Sequence, residues 1–226
     1  MTQSKNIEDG ADFAASKGLQ YLIRPPRETS HPQKAIILLH GAGSNEQDLF
    51  RLSGQLPDDV YVIAPRGPFT LGDGRYAWYN VDFSTGRPVI NAEQETLSRK
   101  LILAFIGQLK QKYQIGEVYL GGFSQGAIMS YGIGLTNPNE AQAIISLSGR
   151  ILDEIRPLIH AGVNLQKLAV FVAHGIQDNT LPIHYARAAK ELLENLEVKL
   201  TYQEYPIGHQ ISNDVLKDLN NWLNSH

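Results

Sequence analysis

Residues 121–126 read Gly-Gly-Phe-Ser-Gln-Gly, directly after the apolar run Val118-Tyr119-Leu120. That order places Ser124 on a tight turn between a buried strand and a helix. Gly122 and Gly126 leave room where the two backbones cross. A serine so placed exposes its hydroxyl at the end of a sheet, and the N–H groups that open the next helix point toward it. Gly122-Phe123-Ser124-Gln125-Gly126 has the G-x-S-x-G form of a nucleophile turn, and the chemistry it suits is attack on an ester or thioester carbonyl. Ser146 and Ser148 lie within or just after a strand run, and Ser44 lacks the strand–serine–helix order.

A serine hydroxyl is a weak nucleophile until a base takes its proton, which calls for a histidine. Seven are present. His31 and His226 sit in polar segments, and His160 and His184 have no strand leading into them. His40 and His174 each end an apolar run and precede a glycine. His209, in Tyr205-Pro206-Ile207-Gly208-His209, follows the last strand run and precedes the last helical stretch. Where the nucleophile sits on a turn of this type, the chain order is nucleophile, acid, histidine, and His209 satisfies it. The acid then lies between Ser124 and His209. Asp178 closes the loop after the run ending at Ala173. Asp153, after the run Ala143–Leu147, is its rival, and the strand order favours Asp178. Its expected work is to fix the tautomer of His209 and stabilise the imidazolium. The loop His40-Gly41-Ala42-Gly43 follows an early strand, so the N–H of Ala42 is expected to join that of Gln125 as an oxyanion donor.

Such residues meet only if strands deliver them to one edge of a sheet. Ala35–Leu39, Val60–Ala64, Val118–Leu120, Ala143–Leu147 and Leu168–Ala173 are short continuous apolar runs, the pattern of strands covered on both faces. Leu19–Ile23 alternates imperfectly and ends at Pro25-Pro26, as an edge strand does, and Val198–Tyr202 reads as the last strand. Leu97, Leu101, Phe105 and Leu109 predict a helix over 92–113 with these four as its apolar stripe. Ile211, Val215, Leu216, Leu219, Trp222 and Leu223 predict another at the C-terminus. Alternation of the two predicts an α/β fold with a mainly parallel central sheet flanked by helices. No repeat or linker composition divides the chain. One domain over 1–226 is expected, with 1–18 as a poorly ordered or peripheral N-terminal segment. Residues 66–91 break the rhythm: long, rich in glycine and aromatics (Phe69, Tyr76, Trp78, Tyr79, Phe83), and without a period. A long loop of this kind is expected near the active site, with its aromatics lining a pocket.

Composition narrows the classes. A chain of 226 residues buries roughly 70% or more of its unfolded surface in one core. A formal net charge of -3 supplies no basic stripe for nucleic acid. The chain has no cysteine, which removes disulfides, thiolate metal sites, a cysteine nucleophile and S-palmitoylation together. The first eighteen residues lack an apolar core, and no stretch has the length and apolarity of a membrane span. The expectation is a soluble cytoplasmic protein without a stable membrane anchor. A dinucleotide-binding reading of Gly41-Ala42-Gly43 fails its own pattern, with Glu46 at the third glycine position and Ala64-Pro65 where an acidic ribose partner belongs.

Taken together, Leu39-His40-Gly41-Ala42-Gly43, Ala64–Pro68, Ala77-Trp78-Tyr79, Leu120–Gly126, Leu147-Ser148-Gly149, His174-Gly175 with Asp178 and Pro182, and Gly208-His209 resemble the phospholipase/carboxylesterase family of α/β-hydrolases, which includes acyl-protein thioesterases. The resemblance runs from about Leu38 onward. It implies an α/β-hydrolase fold, Ser124, Asp178 and His209 as catalytic triad, and Ala42 with Gln125 as the oxyanion hole. It also implies that Trp78, beside Tyr79, borders the acyl site. Ala42, where acyl-protein hydrolases often carry leucine, and Ser44-Asn45-Glu46 resemble the bacterial carboxylesterase branch. The function expected is a serine carboxylesterase acting on small or medium acyl esters through an acyl-enzyme. Acyl-protein thioesterase or lysophospholipase is the alternative, and a peptidase or lactonase with the same triad a more remote one. The partner expected is a small-molecule ester, with no cofactor and no metal; a homodimer is compatible with the resemblance.

Overall fold

The structure, a computed structural model, describes residues 18–28, 33–82, 84 and 88–226. The elements in order are β1 (Tyr21–Arg24), β2 (Gln33–Leu39), α1 (Glu46–Phe50), β3 (Tyr61–Pro65), β4 (Phe69–Gly72), β5 (Arg75–Ala77), β6 (Val81–Asp82), β7 (Val89–Ile90), α2 (Ala92–Tyr113) and β8 (Ile115–Phe123). There follow α3 (Gln125–Thr136), β9 (Ala143–Leu147), α4 (Val163–Lys167), β10 (Ala169–Gly175), α5 (His184–Asn195), β11 (Lys199–Tyr205) and α6 (Asn213–Leu223). Among the described residues seven strands form one sheet in the order β1-β3-β2-β8-β9-β10-β11. All neighbours are parallel except β1, which runs antiparallel to β3 at the edge.

Successive side chains of a strand point to opposite faces, so strands rich in Val, Ile and Leu throughout need a cover on both sides. Ile37, Leu39, Leu120, Ile144 and Val170 point into one apolar layer, where they meet Ile102, Phe105, Ile106 and Leu109 of α2, Met129 of α3 and Leu193 of α5. Ile36, Leu38, Tyr119, Ile145 and Phe171 point into the other, against Leu49 of α1 and Val215, Leu219 and Trp222 of α6. The strand β8 lies at the centre of the sheet and its C-terminal end delivers Ser124.

The helix over 92–113 forms with the bounds the sequence predicts. Asn91 caps it, accepting the Gln94 N–H at 3.0 Å, and Gln114 ends it in the left-handed conformation at φ 54°. Its inward face is rotated from the expected stripe: Glu95, Ser98, Ile102, Phe105, Ile106 and Leu109 are buried, whereas Leu97 and Leu101 are half-buried flanks. Glu95 can face inward because Arg99, one turn on, donates to both of its oxygens at 2.8 and 3.0 Å.

The aperiodic segment 66–91 becomes two short antiparallel ribbons, β4–β5 and β6–β7, whose strands of two to four residues are too short to show a period. Phe83 lies outside the described residues, as do 1–17 of the expected N-terminal segment. Among the described residues no helix is long and apolar enough to cross a membrane.

Candidate active site

Ser124 sits between β8 and α3 with φ 54° and ψ -118°, a conformation that costs a side-chain-bearing residue about 1–3 kcal/mol. Its surroundings hold it there. The Ser124 N–H donates to Leu147 O at 2.9 Å and its carbonyl accepts the Ile128 N–H at 3.0 Å. The crossing of strand and helix leaves no space at the two glycines: a Cβ on Gly122 would lie 2.5 Å from Leu39 O, and one on Gly126 would lie 1.8 Å from it.

His209 stands on the loop after β11, with Nε2 2.9 Å from Ser124 Oγ and Nδ1 2.7 Å from Asp178 Oδ2. A carboxylate accepts and does not donate, so Nδ1 carries the proton and Nε2 is left as acceptor for the serine hydroxyl. The phenyl ring of Phe123 packs against the imidazole with centroids 4.7 Å apart. Asp178, on the loop after β10, has a fully buried side chain. Its Oδ1 accepts the N–H groups of Thr180 and Leu181 at 2.9 and 2.8 Å, which fixes the direction of Oδ2. The two loops are stitched together by Ile176 N–H to Tyr205 O at 2.8 Å and Gln177 N–H to Ile207 O at 3.0 Å. Asp153, the rival acid, lies elsewhere: it starts a 3-10 turn, is mostly exposed, and accepts from Arg156 Nε at 2.9 Å.

Ala42 and Gln125 both line the cleft beside Ser124. Gln125 is the first residue of α3, where N–H groups have no partner within the helix, and the Ala42 N–H has no acceptor among the described residues. The Ala42 loop is held from behind. Gly43 N–H donates to Tyr76 O at 2.8 Å and Tyr76 N–H to Ser44 O at 2.7 Å. His40 is fully buried; its Nδ1 donates to Gly41 O at 2.8 Å and its Nε2 accepts the Gly67 N–H at 2.9 Å. Burial pushes its pKa below the ordinary histidine value, so the ring stays neutral.

Trp78 does not take the place expected of it at the acyl site. It is fully buried and absent from the cleft wall. Its indole Nε1–H donates to His40 O at 2.9 Å and its backbone N–H to Gln125 Oε1 at 2.8 Å. An indole whose N–H finds a backbone carbonyl can be buried whole, and here it serves as the strut behind the Ala42 loop. Tyr79 does line the cleft, and Gln125 Nε2 donates to its carbonyl at 2.7 Å. Of the other segment aromatics, Phe69 is buried in the body and Tyr76 packs under the Arg66 guanidinium at 4.6 Å. Val81, Pro88 and Ile90 continue the wall that Tyr79 begins.

The cleft has a volume of about 370 Å³ and is open at one side. Its wall is apolar for the most part, with Ile128, Leu181 and Pro182 opposite the ribbon residues. Among the described residues no group of three or more His, Asp or Glu side chains is placed to hold a metal ion.

A family model described as phospholipase/carboxylesterase matches residues 23–226. The chain belongs to this family. A probable carboxylesterase of Arabidopsis thaliana, SOBER1-like, is 31% identical over 83% of this chain and 77% of its own. Acyl-protein thioesterase 1 of Candida albicans is 29% identical over 87% of this chain and 94% of its own. Among solved structures, esterase PE8 superimposes with a TM-score of 0.79 at 25% identity, covering 92% of this chain and 98% of the other.

In this phospholipase/carboxylesterase chain, the residues at the site that escaped sequence reasoning include Arg150, Tyr185, Thr180 and Leu181. Arg150 lines the cleft just beyond β9, with no spacing signal to announce it. Thr180 and Leu181 act through backbone N–H groups, which any residue but proline could supply.

Proposed function

We propose that the chain is a serine carboxylesterase of small or medium acyl esters, with Ser124, His209 and Asp178 as its triad. The observation that carries this reading is the unbroken hydrogen-bond chain Ser124 Oγ, His209 Nε2, His209 Nδ1, Asp178 Oδ2 at the wall of an apolar cleft. Ser124 Oγ adds to the acyl carbonyl as its proton passes to His209 Nε2. Asp178 holds Nδ1–H and stabilises the imidazolium without taking its proton. The N–H groups of Ala42 and Gln125 receive the oxyanion. Nε2–H then protonates the departing alkoxide, and water, activated by the same nitrogen, releases the acid from the acyl-enzyme. The apolar wall of Tyr79, Val81, Pro88 and Ile90 takes the hydrocarbon part of the ester. The chemistry draws on no metal or organic cofactor, and the expected place of action is the cytoplasm.

Thioester hydrolysis is the second reading, favoured by the similarity to acyl-protein thioesterases, since the same groups serve a thiolate leaving group. Labelling with a fluorophosphonate probe tests the shared chemistry. Wild type is expected to label and Ser124→Ala not to, with turnover of p-nitrophenyl esters lower by at least about 1,000-fold in the variant. A wild-type protein that resists the probe sinks the proposal. Comparison of p-nitrophenyl butyrate with S-butyryl thiocholine then separates ester from thioester.

A further inference from the structure

The described arginines in this chain are almost all engaged. Arg66 pairs with Glu46, Arg99 with Glu95 and Arg187 with Glu204, while Arg24 donates to the carbonyls of Pro57 and Val60. Arg27, Arg51, Arg75 and Arg156 have partners as well. Arg150 alone among them makes neither a hydrogen bond nor an ion pair. Its guanidinium lies over the ring of Tyr185 at 5.2 Å, and both residues line the cleft that holds Ser124. The sheet order explains why it is there: β9 lies between β8 and β10, so the loop carrying Arg150 emerges between those carrying Ser124 and Asp178.

The surroundings make this cation unusual. Among the described residues no aspartate or glutamate lines the cleft. Burial pushes the Tyr79 phenol up and keeps it neutral; the charge of Arg150 pulls the other way, and the carboxylates of Glu95 and Glu154, outside the cleft wall, add to the upward push. Among the described residues no side chain pairs with the Arg150 guanidinium, whose five N–H donors can each make a charge-assisted hydrogen bond stronger than a neutral one. A planar fork of donors matches a carboxylate or a phosphate.

We propose that the preferred esters carry an anionic group, a carboxylate or a phosphate, which pairs with Arg150 while the ester carbonyl lies at Ser124. The proposal rests on the esterase reading above and narrows its substrate class. Tyr185 stacks on the guanidinium and keeps it aimed at the cleft. The apolar stretch of wall accommodates the hydrocarbon that separates the anion from the carbonyl.

Two matched pairs test it: p-nitrophenyl hemiadipate against p-nitrophenyl hexanoate, and 1-hexanoyl glycerol 3-phosphate against 1-hexanoylglycerol. Wild type is expected to favour the anionic member of at least one pair about tenfold or more in kcat/KM, the size of one charge-assisted contact. The pair that shows it identifies carboxylate or phosphate. Arg150→Gln is expected to lower that ratio by about tenfold or more, Arg150→Lys by less, and added salt to narrow it in wild type. A ratio equal in wild type and Arg150→Gln, or a preference for the neutral ester in both pairs, overturns the proposal and leaves the esterase reading intact. Calorimetric binding of adipate and of glycerol 3-phosphate reads the same contact without turnover. Equal affinity of wild type and Arg150→Gln for both anions overturns it there, even in a protein that fails to label at Ser124.

Discussion

Asp178 shows how one side chain can be specified by what it accepts. With Oδ1 taken by the Thr180 and Leu181 N–H groups, Oδ2 is turned to His209 Nδ1 at 2.7 Å, with His174 Nε2 farther off at 3.4 Å. The variant Asp178→Asn keeps the shape and reverses the chemistry. If its amide oxygen stays on the two N–H groups, its NH2 faces Nδ1 and drives the proton to Nε2, which can then no longer accept from Ser124. Turnover is expected to fall about 1,000- to 10,000-fold with little change in KM, measured by steady-state kinetics on a p-nitrophenyl ester. A loss under tenfold would remove Asp178 from the triad. A second residue-scale prediction concerns Trp78. Replacing it with Phe leaves the buried His40 carbonyl without its donor. The expected cost is about 1–3 kcal/mol of stability in urea titration, together with a fall in kcat from a loosened Ala42 loop. That Ser124, Asp178 and His209 would meet was legible in the sequence because chain order constrains them. Trp78 was not, because an aromatic in an aperiodic segment reads the same whether it faces a pocket or braces a loop.

At the scale of elements, the junction of β8 and α3 concentrates the demands of the fold. Gly126→Ala would drive a methyl group to 1.8 Å from Leu39 O, on the neighbouring strand β2. Backbone on both sides leaves nothing flexible to yield, so a loss of about 3 kcal/mol or more is expected in chemical denaturation. Ser124→Gly works in the opposite sense. Removing the side chain from a residue at φ 54° relieves strain, and the inactive variant is expected to be more stable than wild type by about 1 kcal/mol, visible as a higher melting midpoint. A midpoint equal to or below that of Ser124→Ala would show that the turn stores no strain. Most large elements were legible, since continuous apolar runs and a four-residue period follow directly from two-sided and one-sided burial. The rotated face of α2 was hidden, because the period cannot reveal that Arg99 neutralises Glu95 and lets it turn inward. The ribbons within 66–91 were hidden by their brevity.

Across the whole molecule, two buried histidines tie stability to pH. Burial lowers the pKa of His40 and of His174 below the ordinary value of about 6.5. Below that pH the unfolded chain binds protons that the folded one refuses, so stability is complete above about pH 6.5 and declines as pH falls toward the folded values. Urea midpoints are expected to drop between about pH 7.5 and about pH 5.5, and His40→Gln to flatten the slope. A wild-type midpoint constant across that range would contradict the buried, neutral state of both rings. The cleft as a whole was the least legible feature, since its wall draws on loops far apart in the chain and Arg150 follows a strand with no motif around it. Gln125 joins these distant pieces: its side chain grips the backbone of Trp78 and Tyr79, and the residue lines the cleft. The grip reads no side chain of the ribbon segment, only its N–H and C=O. A segment grafted between Asn80 and Asn91 that keeps this two-point attachment is expected to bring a new selectivity to the cleft while Ser124, His209 and Asp178 stay in place.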